Sequence, residues 1–359
     1  MTVIYQPRGG TPGGSHRPWQ IEQVTTMGSL HIKIAGLDFE NPLWLASGPW
    51  GGTGQKLRKV ALDGRPGAVV TKSIAWEPKI QASPRAGRAV YDRMFYGVDK
   101  SDSFSAKEWF RQEIPVAREG GVPVITDINL GTEPLDVWEE TGKMAEDSGA
   151  TAIELGFGAP SHGIGFLIDP NHLGYRILEC VKKVVSLPVF VKIPYLYPLT
   201  HLKEFVGGLV DSGVDGIVTC GNVAATLVDI EAAKHTIGAG SRIGTTYGEI
   251  AKPVSLAAVL LIASNFSIPV IGTGGIRSGE DVIEFIMAGA SATQLLMEAM
   301  LKGPLVFQKI NEQILNWMEN HGVSDLSEIR GNAYKTTESV DSFRTPIAVD
   351  DRPCECIPE

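Results

Sequence analysis

The sequence predicts an α/β protein built as one (β/α)8 TIM barrel, and three observations carry that prediction. From Asn41 onward, short β-branched apolar runs alternate with amphipathic stretches of helical length. Eight such units follow one another, the number at which a parallel sheet with a helix after each strand closes on itself. The 359 residues also suit a single barrel, since these domains run to roughly 200–400 residues.

The elements follow in order. LHIKIAGLDFENP reads as a small hairpin that floors the barrel. The eight strand candidates are LWLAS ending at Ser47, AVVTKS ending at Ser73, VITDI ending at Ile128 and AIEL ending at Leu155, then PVFVKI ending at Ile193, GIVTC ending at Cys220, PVIGTG ending at Gly274 and ATQLL ending at Leu296. Helices are expected between them, among them LDVWEETGKMAEDSG from Leu135, and SGEDVIEFIMAGA, where Ser278 is the N-cap and Asp281 sits in the first turn. Two connections are long, from about Ile74 to Val122 and from Gly221 to Lys252. Loops after barrel strands build the active site, so these two are the expected lids. The resulting division is a flexible N-terminal arm over 1–28, the barrel over 29–334 and a polar, Pro-containing tail over 335–359.

Composition excludes several classes. With 43% hydrophobic and 20% charged residues the chain has apolar material for a large core, so overall disorder is not expected. The net charge of -9, without clustered Lys and Arg, argues against a nucleic-acid partner. The first twenty residues lack the apolar run of a secretory signal or membrane anchor, so a cytoplasmic protein without a membrane partner is expected. Cys180, Cys220, Cys354 and Cys356 match no disulfide framework and no zinc or iron–sulfur spacing, and no metal is expected.

Polar residues at the C-terminal ends of barrel strands require an explanation. Lys72 in VVTKSI and Lys192 in VFVKIP each interrupt a β-branched run at its end, where a lysine must pair with an anion or lose its proton. They either pair with Glu154 or Asp127, also in strand positions, or face an anionic or electron-rich ligand. VIGTGGIRSGED places glycines directly after the seventh strand and before a helix, where backbone N–H groups can cradle a phosphate. After the first strand, the small residues Ala46, Ser47 and Gly48 would let a flat ring system approach the backbone.

Together, NPLWLASGP, GAVVTKS, VFVKIP, GTTYGEIAKPVSL and IGTGGIRSGEDVIEFIMAGASATQ, from about Ile32 to Gly331, resemble the FMN-binding barrel of the dihydroorotate and dihydropyrimidine dehydrogenase superfamily. The resemblance implies FMN as cofactor. It puts Ala46, Ser47 and Gly48 beside the isoalloxazine or ribityl chain, Lys72 and Ser73 near the ring, Lys192 near N1 and O2, and Asn129 near the flavin contacts of the third strand. Gly248, Thr273, Gly274 and Gly275 then surround the ribityl phosphate. Leu296 and Met297 stand where the family has a small pair that completes the phosphate site.

The substrate side departs further from the family. Its catalytic loop reads Asn-x-Ser-Cys-Pro, or Ser for Cys, and that Cys or Ser is the general acid/base. This chain has Gly156, Gly158, Ala159 and Pro160 at the matching positions, so both the Asn and the base are missing. A second pyrimidine-holding Asn falls at Gly97, and Asn222 alone is retained. His162, with an ordinary pKa of ~6.5, is the first candidate for the relocated acid/base, against the reading of a solvated loop histidine. Ser161, Tyr96 and Cys220 follow, and protonation by water without a side chain is a further option. Phe95, Tyr96 and Phe157 are expected to line a more apolar pocket.

These departures predict an FMN-dependent oxidoreductase that exchanges hydride with a small, non-pyrimidine molecule across a CH–CH or C=C bond. The alternatives are a dihydropyrimidine or dihydroorotate dehydrogenase with a relocated base, and a non-catalytic flavoprotein subunit. Electrons would pass through a partner protein or NAD(P)H, and a homodimer is expected from the family resemblance.

Overall fold

The computed structural model describes residues 28–78, 89–91, 94–97, 104–157, 172–195, 199–235 and 244–335. In chain order, the strands begin with β1 (Ile32–Ile34), β2 (Leu37–Phe39), β3 (Leu43–Leu45), β4 (Val69–Val70), β5 (Ala89–Tyr91) and β6 (Met94–Gly97). Next come β7 (Val124–Ile128), β8 (Ala152–Gly156), β9 (Val189–Lys192), β10 (Gly216–Val218) and β11 (Asn222–Ala225). The last are β12 (Val228–Asp229), β13 (Lys234–His235), β14 (Gly244–Gly248), β15 (Val270–Thr273) and β16 (Ala292–Leu295). Strands β3, β4, β7, β8, β9, β10, β15 and β16 pair in parallel in that order, and β16 closes back onto β3. All eight expected strands are therefore the barrel strands, at most a few residues shorter than the apolar runs.

The hairpin turns at Ala35 and Gly36, both with positive φ (49° and 81°), which matches the right-handed twist of the strands it joins. Its Ile32, Ile34 and Phe39 pack under the barrel against Trp44, Val70, Ile125, Phe190, Val218 and Ile271. Trp44 is fully buried with Phe39 4.5 Å from it, centroid to centroid. Each large side chain buried this way contributes roughly 2–3 kcal/mol from removal of apolar area, so the bottom of the barrel is a packed plug.

Helices cover the outside. Leu135–Asp147 buries Trp138 and Ala145, and Gly279–Met287 buries Val282, Ile283, Phe285 and Ile286. The second starts as its sequence predicts: Ser278 Oγ accepts from the Asp281 N–H, and the Asp281 carboxylate accepts from the Ser278 N–H at 3.0 Å. Such a capping box stabilises a helix by about 1 kcal/mol. No helix among the described residues is long and apolar enough to cross a membrane.

The two long connections are not simple loops. β5 and β6 from the first pair with β14 and β11 from the second in one antiparallel sheet, ordered β11-β14-β6-β5, beyond the C-terminal ends of the barrel strands. Strand pairing of this kind needs partners far apart in sequence, which is why the runs read as lids rather than as strands. The N-terminal arm, the tail with Cys354 and Cys356, and residues 158–171 lie outside the described residues.

Candidate active site

Alternation along the barrel strands builds the site. Trp44, Val70, Ile125, Ala152, Phe190, Val218, Ile271 and Ala292, one from each strand, form the apolar layer over the hairpin. Side chains in a strand repeat every two residues, so the next inward positions toward the C-terminal rim are Ala46, Lys72, Asp127, Glu154, Lys192, Cys220, Thr273 and Gln294. The layer changes from apolar to ionisable within one step. A change this abrupt inside a barrel marks a ligand-facing layer, because burying charge costs free energy that only pairing or a ligand offsets.

Lys192 stands at the centre. Its Nζ donates to Glu154 Oε1 at 3.1 Å and to Gln294 Oε1 at 3.3 Å, and Gln294 Nε2 donates to Glu154 Oε2 at 2.7 Å. Glu154 is 0% and Lys192 14% exposed by side chain. Burial works against the Lys192 charge, but Glu154 and Asp127 outweigh it and hold the ammonium above its ordinary range. Of the two partners that the sequence offers Lys192, Glu154 makes the direct bond. Asp127, 2% exposed, takes a hydrogen bond from Ser73 Oγ at 2.9 Å. Burial first, and then the charge of Glu154, push its carboxyl up to about 7, with Lys192 opposing.

The second half of the site is the turn after β15. Gly274 and Gly275 have φ of 117° and 72°, a region side chains rarely adopt, and a β-carbon at Gly275 would come 2.6 Å from Lys252 Cβ. The backbone can therefore turn here beneath a ligand only with glycine. These two line a pocket with Ala46, Ser47, Lys192, Asn222, Gly248, Thr273 and Gln294. Tyr247, Ile276, Leu296 and Met297 also face it. Leu296 lies against Gly48, where a β-carbon would come 2.5 Å from Leu296 Cδ2, so this wall is bulkier than a pair of small residues would make it.

Of the residues singled out in the sequence, Ala46, Ser47, Lys192, Asn222, Gly248, Thr273, Gly274 and Gly275 thus meet around one cavity, Gly48 packs against its wall at Leu296, and Ser73 bonds Asp127. Lys72 is half-buried just past β4 and falls in the same inward layer by alternation. Asn129 is buried, and its Oδ1 has no partner among the described residues. Phe157 is not a pocket residue: it is 2% exposed and meets the Trp138 ring edge-on at 6.4 Å, in the layer between barrel and helices. One step past β8, alternation turns its side chain outward. Tyr96 pairs with Thr246 through its backbone, and the positions of its side chain and of Phe95 are outside what is described. His162 and Ser161 also lie outside the described residues. Burial raises the Cys220 thiol, whose Sγ donates to the Asn222 carbonyl at 2.7 Å, so it is no ready thiolate. Gln294 was not foreseen as a site residue. Its signal was an amide interrupting the apolar run ATQLL at the strand end. Among the described residues, no three His, Cys, Asp or Glu side chains converge as a metal site.

A pocket at the C-terminal rim, lined by a buried ammonium and by a positive-φ glycine turn before a helix, suits a flat ring carrying a phosphate-ended chain. The model of the dihydroorotate dehydrogenase family matches residues 29–318. The chain belongs to the dihydroorotate dehydrogenase family. Similar proteins include dihydroorotate dehydrogenase B (NAD(+)), catalytic subunit, from Methanocaldococcus jannaschii, 33% identical over 313 residues, with 85% of this chain and 98% of the relative covered. The protein of the same name from Pyrococcus abyssi is 35% identical over 314 residues, covering 85% and 99%, and that from Alkaliphilus metalliredigens 31% over 309, covering 85% and 98%. Membership in the dihydroorotate dehydrogenase family accords with the FMN-linked oxidoreductase of the CH–CH class expected from the sequence. It gives no support to the expectation of a non-pyrimidine substrate, since these relatives carry dihydroorotate in their names.

Proposed function

We propose that this protein is an FMN-dependent dehydrogenase of dihydroorotate or a closely related dihydropyrimidine, with its acid/base moved from position 159. The observation that carries the reading is the buried Lys192–Glu154–Gln294 cluster, whose Lys192 and Gln294 line one pocket with the Gly274–Gly275 turn. FMN fits it. Lys192 would hold the pyrimidine edge of the ring, Ala46 and Ser47 its flat face, and the N–H groups of Gly274 and Gly275 its phosphate. Asn129 Oδ1, buried and without a partner among the described residues, is what a polar ligand would satisfy.

When bound, FMN supplies a hydride acceptor at N5. The chain's own residues do the rest. Lys192 keeps a positive charge beside the ring edge where negative charge gathers on reduction, and its bond to Glu154 keeps that ammonium oriented. Asn222, at the start of β11, offers an amide to the substrate edge. The sheet β11-β14-β6-β5 contributes Asn222, Tyr247 and Gly248 to the lining of the pocket. His162 takes the proton, as the imidazole nearest in sequence to the missing base. The relatives are named as NAD(+)-linked catalytic subunits. By that likeness the electrons pass to NAD+ through a partner subunit, while a homodimer rests on the family resemblance of the sequence alone.

The test is an anaerobic absorbance spectrum of the flavin-loaded protein, with dihydroorotate, dihydrouracil, NADH and NADPH added separately. Bleaching of the flavin by dihydroorotate within seconds, abolished or slowed more than ~100-fold in His162→Ala, is the expected result. One observation favours a second reading. Position 156 is a glycine packed against Asp127, so an amide is absent from the substrate edge of β8. A bound flavin untouched by any dihydropyrimidine would return the search to non-pyrimidine CH–CH substrates.

A further inference from the structure

Asp127 is a buried carboxyl that the mechanism above does not use. Its backbone N–H donates to Thr71 Oγ1 at 2.9 Å and its Oδ2 accepts from Ser73 Oγ at 2.9 Å, so the main chain and one carboxylate oxygen are each held. Its Oδ1 is fully buried and has no hydrogen-bond partner among the described residues. That oxygen lies against Gly156 at the end of β8. A β-carbon on residue 156 would overlap it, so the carboxyl occupies the space a side chain would enter from that strand.

Resting on the proposed function, we propose that Asp127 supplies the polar contact to the bound pyrimidine that Gly156 cannot make. Position 156 pairs with Lys192 across β8 and β9, so the carboxyl comes from the strand on the other side of β8 into the same rim. The side chains around it are limited. Glu154 faces it from β8, Lys192 from β9, Ser73 from the segment after β4 and Ser47 from the segment after β3, and Lys72 falls in the same layer by alternation. Both oxygens of Glu154 are engaged, by Lys192 and by Gln294. Glu154 takes the direct bond from Lys192, so the proton of the cluster belongs on Asp127, whose Oδ1 has no hydrogen-bond partner among the described residues. A protonated Asp127 donates to a ring carbonyl, and an ionised one accepts from a ring N–H. Ligand binding at this contact is therefore linked to one proton in the neutral range, where burial and Glu154 place its titration.

The experiment is calorimetric binding of orotate to the flavin-loaded protein at pH 7, in two buffers of different ionisation enthalpy. It is repeated with Asp127→Asn and Asp127→Ala, and flavin content is read by absorbance. The expected result is a fractional proton uptake or release in the wild type that disappears in Asp127→Asn, and about tenfold weaker binding in Asp127→Ala with flavin retained. Orotate binding with no proton exchange in the wild type overturns the proposal and leaves the proposed function standing; this arm needs no variant to fold. Equal affinity in the wild type and Asp127→Ala does the same. Failure of the wild type to bind orotate at all overturns the dihydroorotate reading, and this contact with it.

Discussion

Replacing Lys192 by Met keeps the stem that packs in the barrel and removes the ammonium from two buried carboxyls. Glu154 is 0% exposed and would keep only the Gln294 bond at 2.7 Å. Removing one partner of a buried ion pair typically costs about 3–5 kcal/mol, because the remaining charge is left without compensation. Taking ~3 kcal/mol and an unfolding entropy of about 2.1 cal/mol/K per residue, a barrel of this size loses roughly 5 °C in melting temperature near neutral pH. Lowering the pH through about 7 protonates Asp127, which removes its repulsion with Glu154, so the loss should shrink. Melting curves by circular dichroism for wild type and variant at pH 5 and pH 8 measure both effects. A deficit that is the same at both pH values would refute the reasoning, since it would show lost packing rather than uncompensated charge.

Three further outcomes are expected. In Asp127→Asn the pH dependence of stability changes in a defined direction: Asp127 holds its proton to about 7 in the folded state against ~3.9 unfolded, so its contribution is full below ~4 and is lost as pH rises through 7. The variant's melting temperature should therefore decline less than the wild type's between pH 5 and 8, and an unchanged slope would exclude Asp127 as the titrating group. Gly275→Ala places a side chain at φ 72° and 2.6 Å from Lys252 Cβ, costing about 1–3 kcal/mol, and should raise the dissociation constant for FMN in reconstitution titrations. Phe157→Ala removes a ring packed on Trp138 and should cost about 3–5 kcal/mol in urea unfolding, while the absorbance spectrum of bound flavin stays unchanged.

The sequence by itself determined the barrel and half of the site. Eight apolar runs of strand length, each followed by a helical stretch, admit few topologies, because parallel neighbours need crossover helices and these have one hand. The glycines at 274 and 275 were legible because the turn requires positive φ, and Ser278 with Asp281 because capping is chemistry within four residues. Lys72 and Lys192 were visible as charges ending apolar strands. Tertiary structure decided what depends on residues distant in the chain. The Lys192–Gln294 bond spans 102 positions and the Glu154–Gln294 bond 140, so no local pattern could choose Glu154 over Asp127 as the direct partner of the lysine. The same reason applies to Phe157. Whether an aromatic at the strand end faces the cavity or the helices depends on the phase of alternation at the rim, and the closed barrel sets that phase. It applies most to Asp127, whose place against Gly156 exists only because β7 and β8 are neighbours in the folded sheet.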